Sequence, residues 1–118
     1  MSDLVGTCPK GCWEEWIAEG DAAGEIETGQ EWGWYTGHQL ASSAIPGDRF
    51  YVVAHGKLRG YATVTRLEHG GDGRVAAIVR KGGAVACTIP GPIPGFRGLR
   101  IRWWKREEEI PFQAWRLP

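Results

Sequence analysis

Residues 46–68 hold the signal that most restricts the fold. Pro46-Gly47-Asp48 reads as a turn, and it delivers the chain into Arg49-Phe50-Tyr51-Val52-Val53-Ala54-His55, a nearly continuous apolar run of strand length. A run this apolar suits a strand covered on both faces rather than one with a wet side. Gly56-Lys57 has the spacing of a tight hairpin connection. Leu58 to Glu68 follows as a long second strand, rich in β-branched and aromatic residues such as Tyr61, Thr63, Val64 and Thr65. An antiparallel hairpin of 49–55 and 58–68, without parallel central strands, is expected at the centre of the fold.

Shorter strand signals surround this hairpin. Leu4-Val5-Gly6-Thr7, Trp32 to Thr36, Val75 to Val79, Ala84 to Ile89 and Leu99 to Trp104 each read as strands, separated by Gly-rich turns such as Gly70-Gly71-Asp72-Gly73. Pro90-Gly91-Pro92-Ile93-Pro94-Gly95 cannot donate a regular ladder and reads as a stiff loop. One early helix is expected after Cys8-Pro9-Lys10-Gly11, because Trp13, Trp16 and Ile17 fall at i, i+3 and i+4 and Gly20 can end it. Residues 20–31 read as an acidic surface loop, 38–44 as a short helical turn, and 110–115 as a tail packed irregularly on the rest. The fold class expected is mainly β with one early helix (α+β). Closing the sheet into a small barrel would remove its edges, in a single domain over 1–118.

Composition narrows the function classes. The chain of 118 residues is 42% hydrophobic with seven Trp, which excludes a disordered polyampholyte. No apolar run approaches the ~20 residues of a membrane span, and Met1 to Gly6 lacks a basic segment followed by an apolar one. A cytosolic protein with no membrane contact is expected. Cys8, Cys12 and Cys87 are odd in number, so a disulfide framework is not expected. No metal site is expected either, since His38, His55 and His69 are scattered and supply no second ligand pair.

Charge is divided along the chain although the net is zero. Residues 1–31 carry eight acids against Lys10 alone, whereas residues 32–106 carry twelve bases against Asp48, Glu68 and Asp72. Such asymmetry fits either a polyanion-binding face or internal neutralisation of one region by the other.

The segment Gly47-Asp48-Arg49-Phe50-Tyr51-Val52-Val53-Ala54-His55-Gly56-Lys57-Leu58-Arg59-Gly60-Tyr61-Ala62-Thr63-Val64 resembles the PUA-like superfamily, particularly its ASCH and EVE branches. The likeness lies in a Pro-Gly-Asp turn, a strand, a hairpin and a second strand with Gly60 where it must bend. An early helix followed by an aromatic strand adds element order. The resemblance implies a small PUA-like β-barrel that binds RNA or a modified base in DNA or RNA, with no cofactor. One ASCH branch resembles small amidohydrolases that use a Lys, a Thr and a Glu, a trio with no matching positions in this sequence. The block Gly95 to Trp104 has no counterpart in those patterns.

Three constellations are candidate sites. Arg97, Arg100, Arg102, Lys105 and Arg106 interleave with Phe96, Trp103 and Trp104, joining cations for phosphate to rings for base stacking; the alternatives are a solvated basic strand face with Trp103 in the core, or pairing of these bases with Glu107 to Glu109. Trp32, Trp34 and Thr36 share one strand face and can either wall a base-sized pocket or fill the barrel. His55-Gly56-Lys57 with Arg59 offers a turn histidine without a neighbouring acid to orient it. No catalytic residue is assigned, and no phosphate-loop or G-x-S-x-G pattern is present. The leading expectation is a non-enzymatic module for nucleic acid or a modified nucleobase, with ligand residues Trp32, Trp34, Thr36, His55, Arg59, Arg97, Arg100, Arg102 and Trp104. A small nucleoside or RNA hydrolase working in the same cleft comes second, and a protein-interaction domain third.

Overall fold

The computed structural model describes residues 2–8, 31–81 and 85–111, with the backbone alone at positions 31, 32 and 81. Among them eight strands follow in chain order: β1 Leu4–Thr7, β2 Glu31–Tyr35, β3 Arg49–Ala54, β4 Lys57–His69, β5 Val75–Lys81, β6 Val85–Thr88, β7 Leu99–Ile101 and β8 Ile110–Pro111.

The central hairpin forms as its sequence requires. Asp48 N–H donates to the Ile45 carbonyl at 3.0 Å. Gly47 takes φ 97°, so Pro46-Gly47 occupies the two middle positions of a turn that needs a positive φ at the second. The Asp48 carboxylate then accepts the N–H groups of Ser2 and Ile45 at 2.9 and 3.0 Å. β3 and β4 pair antiparallel from Arg49↔Thr63 to Ala54↔Lys57. The connection is His55-Gly56 rather than Gly56-Lys57, with φ 52° and 74°. Positive φ at both residues matches the right-handed twist of the flanking strands.

Every residue of β3 after Arg49 is buried, and its alternation divides the core in two. Phe50, Val52 and Ala54 pack on one face with Leu4, Val64, Ile78 and Leu99. Tyr51 and Val53 pack on the other with Val5, Leu58, Cys87, Ile93 and Trp104. Each Val, Leu or Ile so buried contributes roughly 1.5–3 kcal/mol.

The closed α+β barrel is corrected by the strand order, which runs β2-β5-β4-β3-β1-β7 and leaves its two end strands unpaired with each other. The sheet is an open, curled half-barrel. Closure would require β7 to reach β2. However, β7 has three residues, because Arg102 and Trp104 turn away into the contacts described below rather than extending the strand to Trp104. The expectation of no parallel central strands is corrected as well, since β1 lies parallel to β3, from Leu4↔Phe50 to Thr7↔Val53, inside the sheet. Among the described residues there is no α-helix, only 3-10 turns at Gln39–Ser43 and Arg106–Glu108. The helix expected around Trp13, Trp16 and Ile17 lies outside the described residues, as do most of the acidic loop and the tail beyond Pro111. β5 and β6 lie along one edge of β4, while β8 pairs with Cys87 and Thr88 of β6.

Candidate functional site

Two buried carboxylates fasten the basic C-terminal block to the sheet. Asp3, just before β1, accepts Arg49 N–H at 2.9 Å, Arg102 Nε at 3.1 Å and Arg106 Nη2 at 2.8 Å. Burial alone would raise its carboxyl, but the hydrogen bonds from Arg49, Arg106 and Arg102 together outweigh that and hold it below the usual value. Glu109 accepts Tyr51 Oη–H at 2.5 Å, Trp104 Nε1–H at 2.9 Å and Arg49 Nη1–H at 3.1 Å. Burial, helped by the hydrogen bond to Glu109, pushes the Tyr51 phenol up. Burial first, and then the Glu109 charge, pushes the Cys87 thiol up to about 12.

Beside these carboxylates runs a chain of five rings. Tyr61 meets Tyr51 at 5.3 Å between centroids, Tyr51 meets Trp104 at 5.1 Å, Trp104 meets Trp103 at 4.9 Å, and Trp103 meets Phe96 at 6.3 Å. The last three contacts are edge-to-face, the arrangement that ring quadrupoles favour. A guanidinium sits over each end, Arg49 4.1 Å above Tyr61 and Arg100 4.3 Å above Phe96. Burial is greatest at the middle of the chain and partial at Tyr61. Tyr51 is fully enclosed and Trp104 nearly so, while Trp103 is 51% exposed. Phe96 is half-buried, and Arg97 and Arg100 are exposed.

The nine residues singled out by sequence do not converge. Arg97 and Arg100 reach solvent at the open end of the ring chain. Arg102 turns inward to Asp3, and its Nη1 donates to the Trp104 carbonyl. Trp104 is a core ring bonded to Glu109. Trp34 packs 5.0 Å from Phe50 beneath Gly6, which makes it a core ring too, and Trp32 is described only through its backbone pairing with Arg80. Thr36 Oγ1 accepts the His38 N–H at 3.0 Å, a turn contact.

His55 is exposed in the hairpin turn. Arg59 is the extra residue of a bulge, because Val52 pairs with Gly60 and Val53 with Leu58. The bulge re-aims its side chain, so Arg59 is buried with Nε donating to the Ala54 carbonyl at 2.8 Å. Sequence reasoning counted Asp3 among the acids able to neutralise the basic region and Glu109 among possible partners of the 97–106 bases; Asp3 does take Arg102 and Arg106, whereas Glu109 takes Arg49 instead. Tyr51 carried no signal as a site residue, and nothing in the spacing joins the three.

A separate cleft of about 440 Å³ lies where the Gln39–Ser43 turn meets the start of β5, lined by His38, Gln39, Ser42 and Arg74 among others. Trp34 does not line it. Cys8 and Cys87 are buried on opposite faces of the sheet, while Cys12 lies outside the described residues. Among the described residues no three His, Cys, Asp or Glu are grouped to hold a metal, and no helix is long and apolar enough to cross a membrane. No family model, curated protein or solved structure matches the chain.

Proposed function

We propose that the protein is a binding module for single-stranded nucleic acid, and that the contact surface is the exposed end of the ring chain: Phe96, Arg97, Arg100 and Trp103. The observation that carries this reading is the Arg100 guanidinium seated 4.3 Å above Phe96 beside a half-exposed Trp103. Such an arrangement offers flat faces to bases and fixed positive charge to phosphates within one side-chain length of each other. Trp103 is held by its edge contact with the buried Trp104, so little rotamer freedom remains to be lost on binding.

A nucleic-acid role also agrees with what the PUA-like resemblance of residues 47–64 implies for ligand class. The ligand set is narrower than the sequence suggested: Arg59, Arg102, Trp34 and Trp104 serve the core. A cytosolic setting completes the reading, since a buried thiol such as that of Cys87 stays reduced there.

Fluorescence anisotropy with a labelled single-stranded oligonucleotide tests the reading. Trp103→Ala removes a half-exposed ring and is expected to weaken binding by ~1–3 kcal/mol, the worth of one stacked base, with the fold kept, as a cooperative thermal melt would show. Unchanged affinity in that variant would exclude Trp103 as a stacking platform.

A further inference from the structure

Four polar side chains, His38, Gln39, Ser42 and Arg74, line the cleft beside the Gln39–Ser43 turn together with Gly37, Gly73 and Val75, and the four are complementary to one class of small molecule. Arg74 stands at its wall, exposed, and no acid among the described residues pairs with its guanidinium; the nearby Asp72 carboxylate instead accepts the Arg74 backbone N–H at 2.9 Å. His38 Nδ1 accepts the Leu40 N–H at 3.1 Å, which places the proton of the neutral ring on Nε2 and makes that atom a donor. The Ser42 hydroxyl donates to the Gln39 carbonyl at 2.9 Å, so its oxygen lone pairs are left to accept. Gln39 adds an amide with both capacities. The lining thus holds one guanidinium, an imidazole N–H donor, a hydroxyl acceptor and an amide.

A volume of about 440 Å³ falls within the range of small-ligand sites, ~300–1,000 Å³. It far exceeds what a bare oxyanion fills. We infer that this cleft binds a hydroxylated phosphate monoester, with the phosphate on Arg74 and His38 and a ligand hydroxyl donating to Ser42. An Arg fork matches phosphate oxygens in geometry and in charge. A sugar phosphate and a mononucleotide share this chemistry. The cleft has no residue in common with the Phe96–Trp103 surface, so failure at one leaves the other standing.

The test is a two-dimensional amide NMR titration of the full chain with ribose 5-phosphate, adenosine 5′-monophosphate, ribose and inorganic phosphate as separate probes. Saturable shifts at His38, Gln39, Ser42 and Arg74 are expected with one or both esters. Ribose should be without effect, and phosphate should bind more weakly than the better ester. Whichever ester binds more tightly identifies the source of the phosphate. Arg74→Gln, an exposed change whose spectrum itself reports folding, should weaken the ester about tenfold or more. Arg66→Gln, at an exposed arginine of neither surface, should leave it unchanged. Absence of saturable shifts with either ester at 10 mM (roughly the weak limit for a specific site), or an affinity that Arg74→Gln does not alter, would overturn the assignment.

Discussion

Arg102 Nε donates to Asp3 Oδ2 at 3.1 Å across 99 residues of chain, tying the segment after β7 to the residue that opens β1. Arg106 shares the same oxygen at 2.8 Å. One carboxylate therefore neutralises two of the bases that sequence assigned to a single basic block, and it decides which arginines remain for a ligand.

Asp3→Asn should destabilise the fold by roughly 2–3 kcal/mol, since it leaves two guanidiniums short of a charged acceptor. The native Asp3 carboxyl lies below its ordinary value of 3.8. Its stabilising contribution is therefore complete above that value and is lost as pH falls through the lowered native one. Urea midpoints between pH 7 and pH 2 should show a steeper acid loss in the wild type than in Asp3→Asn. Parallel curves would contradict this account of Asp3.

Gly98 has φ 73°, and a Cβ there would stand 2.5 Å from His38 Cδ2. Gly98→Ala should cost about 2 kcal/mol, from the left-handed backbone and the displaced ring together. In a His38→Ala background the same change should cost only ~1 kcal/mol, the backbone part alone. Equal costs in the two backgrounds, read from denaturant midpoints, would show that the ring contact carries no energy.

Cys87 should resist alkylation in the native protein at pH 8, because burial and the Glu109 charge raise its thiol to about 12. Peptide mapping by mass spectrometry after brief iodoacetamide treatment, with and without denaturant, reads this directly. Labelling of native Cys87 at the rate of an unfolded thiol would place it outside the core.

Strands were legible wherever local pattern and burial agreed. The apolar run of 49–54 could be satisfied only by cover on both faces, and two core clusters supply it. Closure was not legible, because it depends on whether β7 reaches β2, and the length of β7 is set by tertiary contacts of Arg102 and Trp104. Arg59 shows how a site can be misread: alternation through 57–63 says nothing of a bulge, and one extra residue moved a cation from the surface to the interior. The same limit applies to Trp104, whose indole N–H is satisfied by an acid five residues on. Composition marked a basic aromatic block, but only folding separates its inward members from Phe96, Arg97, Arg100 and Trp103.

The most direct test of the proposed function is the salt dependence of single-stranded oligonucleotide affinity in the wild type and in Arg97→Gln/Arg100→Gln. Each phosphate contact on a single strand contributes ~0.7 to the slope of log affinity against log salt. The double variant should therefore bind more weakly at low salt and show a slope flatter by ~1.4, with its melting temperature unchanged because both side chains are exposed. Arg102→Gln should behave differently, lowering stability first. Absence of binding to any single-stranded oligonucleotide at low salt, or a slope identical in wild type and double variant, would contradict the account.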